Sequence, residues 1–197
     1  LMLLQNRANN RSYFYAAILS LGIGSYMLAP LVMHQWQWGV AGYPIIVLAI
    51  VVPALFWYFA NAVFHDDFVP QSWVKGLVIA TALLGFGAFC NGAGSGVVCR
   101  INLFPFPGWM AQTAKLLWIG AALVTVLQDW QADLVESRRR LRLLIVVAGG
   151  CYMAAIVIVE LLLQNQVTAA IELVHVGVLL FAVTALCIHF LGINQTN

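Results

Sequence analysis

The stretch DWQADLVESRRRLRLL, residues 129–144, decides how the rest of the chain is read. It holds Asp129, Asp133, Glu136, Arg138, Arg139, Arg140 and Arg142, seven of the sixteen acidic and basic residues in the 197. Long apolar runs flank it, 106–128 before and 141–163 after. Four arginines in five positions, on a short segment between apolar runs, mark a loop held on the cytoplasmic side of a membrane. That one loop sets the direction of every neighbouring segment.

Composition supports the same class. The chain is 63% hydrophobic and 8% charged, with a mean hydropathy of +0.93. Soluble domains carry about 25% charged residues. The net charge of +2 says little, because the charges are confined to loops. Outside the arginine loop the cations are scattered singly, so there is no basic face for nucleic acid.

Working outward from 129–144, six apolar segments are expected to cross the bilayer: 12–34, 42–64, 73–91, 106–128, 141–163 and 168–192. Each has roughly the 20 residues that a helix needs for a hydrocarbon core of about 30 Å. Barrel strands would alternate in polarity over about 10 residues, and these runs do not. The expected fold is therefore all-α, a polytopic membrane helix bundle in one domain, 1–197. Leu1-Met2-Leu3-Leu4 looks like the tail of one further helix, which would make seven in the parent protein. Pro53 should kink the second helix. Gly22 with Gly24, and Gly85 with Gly87, are sites where helices can approach closely.

With the arginine loop inside, Arg7, Arg11, Lys75 and the turn His65-Asp66-Asp67 are inside as well. The outer loops are 35–41, 92–105 and 164–167, and Arg100 is the one cation among them. Trp36, Trp38, Trp73, Trp109 and Trp130 fall at expected helix ends, as an interfacial aromatic belt requires.

Four groups of residues are candidates for function. In the outer half, Lys115 lies two turns into the fourth span, Glu160 near the outer end of the fifth, and Glu172 and His175 near that of the sixth. Ionisable groups at membrane depth are costly and face a bundle interior or a cavity. Lys115 is expected to pair with Glu160 or Glu172, the four lining a pocket that takes a small-molecule or lipid ligand, or senses pH through His175. The alternative is four side chains snorkelling at headgroup depth. Cys90 and Cys99 flank a small-residue outer loop, where a disulfide can form and persist; the alternative is two free thiols.

On the inner side, Asp133, Glu136, Arg138, Arg139, Arg140 and Arg142, with Asp66 and Asp67, can hold lipid headgroups or couple to an attached domain. Each arginine would contribute about 1 kcal/mol with anionic lipid. The same arginines can equally be a topology anchor and no more. Finally Phe56, Trp57, Tyr58, Phe59, Trp118 and Tyr152 can line an apolar ligand cavity, or simply pack between helices. No catalytic, metal or cofactor motif is found. Gly92-Ala93-Gly94-Ser95-Gly96 is neither a nucleophile elbow nor a dinucleotide fingerprint.

The run FWYFANAVFHDDFVPQSW (56–73), followed by DWQADLVESRRRLRLL (129–144), resembles the membrane domain of a group of bacterial AraC-type transcription regulators. That group carries a Phe-Asp-Asp-x-Phe turn before a Trp. It also carries an Asp-Leu-Val-Glu-x-Arg-Arg-Arg-Leu-Arg loop before its penultimate helix. Phe64-His65-Asp66-Asp67-Phe68 has one residue inserted relative to that turn. The opening LLQNRANNRSYFYAAILSLGIGSYML (3–28) fits the same layout. The resemblance implies a sensor domain in the bacterial inner membrane with a cytoplasmic C-terminus. It implies a paired helix-turn-helix domain after residue 197, so DNA is met only through that domain, and a homodimer. No enzymatic activity is expected. A small transporter or channel, which would want mid-membrane polar sites and an internal repeat, and a ligand-free scaffold subunit are the competing classes.

Overall fold

Pro53 shapes the centre of the molecule. In the computed structural model, which describes residues 7–34, 39–64, 68–93, 107–128, 136–163 and 177, the segment around it is two helices. α2 spans Tyr43–Ile50 and α3 spans Val52–Phe64, bent by 52° at the break. Val51 sits between them at φ −87°, ψ 0°, in the sparsely occupied bridge region. Pro53 has no N–H to offer the carbonyl of Ala49, and its ring crowds that carbonyl. The chain resumes at once, with the Leu55 amide donating to the Val51 carbonyl at 3.0 Å.

The other helices are α1 (Arg7–His34), α4 (Ser72–Ala93), α5 (Gly108–Gln128) and α6 (Glu136–Leu163), with a 3-10 turn at Gly39–Gly42 before α2. No strand occurs among the described residues. α3 is the axis of the bundle. Its Val52, Phe56 and Ala60, four apart and so on one face, pack with Leu19 of α1, Ala122 and Val126 of α5 and Val146 of α6. Its Ala54 and Tyr58 face a second cluster with Val74 of α4 and Trp118 of α5.

Small residues set the close approaches. A Cβ on Gly22 would lie 3.1 Å from the side chains of both Val52 and Leu55, so any larger residue there would push on the helix pair at the break. On the opposite side, a Cβ on Gly85 of α4 would run into the Ile50 side chain. The two glycines that face the bend are thus among those picked out by sequence. Gly24 meets nothing within 4 Å. One close approach had no such signal: a Cβ on Gly150 would stand 2.7 Å from Leu123 and 3.4 Å from Phe56.

Large apolar side chains face outward. Leu117 is 75% exposed, Leu162 76% and Leu21 65%, the arrangement expected when lipid rather than water surrounds a bundle. Trp73 and Trp109 stand exposed in the first turns of α4 and α5.

The number of spans differs from the six expected. Among the described residues, two helices, Ser72–Asn91 and Gly108–Gln128, are long and apolar enough to cross a membrane, and three if the bent pair counts as one span. α1 and α6 contribute, among the described residues, the shorter apolar helices Phe14–Ala29 and Val146–Leu162. α6 begins at Glu136, so the cytoplasmic stretch 136–140, where Glu136 and Arg140 are spaced to pair along a short helix, is helical and continuous with the fifth expected span. The sixth expected span falls in the second contact unit, Leu163–Asn197, of which only Leu163 and Gly177 are described. Leu1-Met2-Leu3-Leu4 also lies outside the described residues.

Candidate functional site: a polar cluster around Glu160

Three helices deliver polar side chains to one carboxylate. Glu160 lies in the last turn of α6. Its Oε1 accepts from the Tyr26 hydroxyl of α1 at 2.8 Å. Its Oε2 accepts from Gln112 Nε2 of α5 at 2.9 Å. Lys115, also on α5, brings its ammonium to the same Oε2 at 3.5 Å. Gln112 and Lys115 are three apart and share one face of α5. The Lys115 and Glu160 side chains are 16% and 26% exposed. Hydrogen bonds to a charged group contribute about 1.5–3 kcal/mol each, so the carboxylate ties α1, α5 and α6 together.

The cluster is incomplete on its donor side. Gln112 Oε1 is buried with no hydrogen-bond partner among the described residues. Flipping the amide would not help, because Nε2 already faces a carboxylate oxygen. An unmet buried acceptor costs about 1–3 kcal/mol.

Lys115 therefore meets Glu160, one of the two partners expected for it. Glu172 and His175 lie outside the described residues. Tyr26 and Gln112 were missed by sequence reading. Each is a neutral polar side chain in an apolar helix, unremarkable alone; the available signal was Gln112 one turn before Lys115.

Trp118 belongs elsewhere. Its Nε1 donates to the Thr81 hydroxyl of α4 at 2.9 Å, and that hydroxyl donates on to the Leu77 carbonyl at 2.9 Å. Trp118 packs on Trp57 with ring centroids 5.5 Å apart. Tyr15 stacks on Tyr58 at 5.7 Å, and Phe68 packs against Tyr15, Trp57 and Tyr58. The aromatic residues thus divide between two clusters, with Phe56 and Phe59 in the core around α3 and Trp57 bordering both.

The Tyr15–Phe68 contact puts the start of α4 beside the start of α1. The end of α4 accordingly lies at the Tyr26 and Glu160 end of the bundle. Cys90 is in that last stretch of α4 and is disulfide-bonded. Cys151 is free, and Cys99, the partner expected for Cys90, lies outside the described residues.

The inner candidates are described only in part. Glu136, Arg138, Arg139, Arg140 and Arg142 occupy the opening turns of α6. Asp66, Asp67 and Asp133 lie outside the described residues. No cluster of three metal-ligating side chains occurs among the described residues.

Fold and site together define a helical bundle with two or three helices long and apolar enough to cross a membrane and a polar cluster at one end. Comparison with protein-family models, with curated proteins and with solved structures gives no match.

Proposed function

We propose that this chain is the membrane-embedded signal-input domain of a bacterial transcription regulator of the AraC type. In this reading it sits in the inner membrane, senses through the cluster around Glu160, and acts on a cytoplasmic DNA-binding domain. The regulator works as a homodimer, and DNA is met only through that further domain.

The observation that carries the reading is α6. It is one helix of 28 residues, Glu136–Leu163, with the arginines in its opening turns and Glu160 in its last. The 20-residue separation of Arg140 and Glu160 corresponds to about 30 Å of helix, the thickness of a hydrocarbon core. A helix of that kind needs no unbroken apolar window longer than Val146–Leu162, because its charged residues fall at the two interfaces. α1 fits the same logic with Arg7 and Arg11 at its start, which supports counting both as spans. The disulfide at Cys90, at the Glu160 end, favours an oxidising compartment there. The arginines favour the cytoplasm at the other end.

A signal changes the output only by binding one helix arrangement better than another. Glu160 joins three helices, so a ligand that redistributes its bonds changes how α1, α5 and α6 pack. The motifs at 56–73 and 129–144 supply the AraC-type part of the proposal.

Glu160→Gln keeps the shape and removes the charge. In the full-length protein, it should reduce the induced change of a target-promoter reporter at least tenfold, with membrane abundance unchanged by immunoblot. An unaltered response at unaltered abundance takes Glu160 out of the sensing site.

A further inference from the structure

The unmet polar atoms beside Glu160 point to the kind of group that completes the cluster. Among the described residues, the Lys115 ammonium makes one polar contact, the long 3.5 Å approach to Glu160 Oε2. An ammonium has three hydrogens to donate, so donor capacity remains. One turn away on the same face, Gln112 Oε1 is a buried acceptor with no partner. The site therefore lacks one acceptor and one donor, at neighbouring positions.

We propose that Lys115 and Gln112 bind the hydroxyl group of a ligand, whose oxygen accepts from the ammonium and whose O–H donates to Gln112 Oε1. The proposal rests on the sensing role given to this cluster and names its ligand chemistry. Charged alternatives fit worse. An ionised carboxylate or phosphate has no hydrogen for Gln112 Oε1. A ligand ammonium would meet Lys115 as a like charge. Glu160 and Lys115 already balance each other, so a neutral group that both donates and accepts leaves the site neutral.

Two sources can bring a hydroxyl here. One is a soluble polyol from the outer side. The other is an amphiphile in the bilayer. Leu117 on α5 and Leu162 on α6, close to the cluster in sequence, are 75% and 76% exposed, and an acyl tail would find apolar surface there.

The test uses the purified 197-residue chain in detergent and follows its thermal unfolding midpoint. The probes are glycerol, a long-chain 1-monoacylglycerol, and the same monoacylglycerol with both hydroxyls acetylated. The expected result is a saturable rise in midpoint with a hydroxylated probe and none with the acetylated one. Monoacylglycerol alone assigns the bilayer as source; glycerol alone, at millimolar levels, assigns a soluble one. Lys115→Met and Gln112→Leu should each raise the apparent Kd at least tenfold, while Lys115→Arg retains binding. If Lys115→Met does not fold, Gln112→Leu carries the comparison.

An equal response to the acetylated probe, no saturable response to any probe, or full binding by both variants overturns the proposal and leaves water as the group that completes the cluster. Loss of reporter output in Glu160→Gln with no hydroxyl binding would reject the ligand chemistry and keep the sensing role. Hydroxyl binding with an unaltered reporter would do the reverse.

Discussion

Glu160→Leu is expected to destabilise the bundle by about 3 kcal/mol, near the lower end for breaking a buried ion pair. The low end applies because Glu160 and Lys115 keep 26% and 16% of their side-chain surface exposed. Losing the carboxylate strands three donors at once: the Tyr26 hydroxyl, the Gln112 amide and the Lys115 ammonium. Lys115→Met should cost less, about 1 kcal/mol. It removes one long contact and leaves Glu160 accepting from Tyr26 and Gln112. The two losses should not add. Once Glu160 is gone, removing the stranded ammonium relieves the protein, so the double variant should be no less stable than Glu160→Leu alone. Denaturant unfolding in detergent micelles measures all three. Additive losses, or a Lys115 variant weaker than the Glu160 variant, would mean the carboxylate is not the hub.

Phe56→Ala should cost about 3 kcal/mol, at the lower end for removing a buried aromatic side chain. Phe56 is 3% exposed at the middle of α3. It packs against the α6 backbone at Gly149 and Gly150. Between helices in lipid, packing rather than exclusion of water supplies the attraction, so the cost is the cavity and the lost dispersion contacts. Leu117→Ala, at a side chain 75% exposed, should stay within about 0.5 kcal/mol. The same unfolding measurement compares them. Similar effects for the two would contradict α3 as the axis of the bundle.

Part of this architecture was legible in the residues. Pro53 announces its bend because proline lacks the amide that a helix interior needs. Gly22 and Gly85 mark close approaches because only a small side chain admits them. Lys115 could be given a carboxylate partner in advance, either Glu160 or Glu172, since ionisable side chains at membrane depth rarely stand alone. Tyr26 and Gln112 could not, because a neutral polar side chain leaves no such imbalance to explain. Trp118, a candidate for lining an apolar cavity, instead turns its indole to Thr81 and packs on Trp57. The continuity of α6 through its charged opening was missed for a physical reason too. A run of charges breaks the apolar pattern and so reads as loop, yet arginine, leucine and glutamate are all good helix formers.

The central claim is that α6 carries its arginines and Glu160 to opposite faces of a membrane. Labelling with a membrane-impermeant maleimide tests it directly, using Arg139→Cys and Leu162→Cys in the full-length protein and comparing each with the wild-type background. In intact spheroplasts the account predicts added labelling at position 162 and none at 139, with 139 reacting only after permeabilisation. Labelling of position 139 from outside, or of both positions from one side, would contradict it.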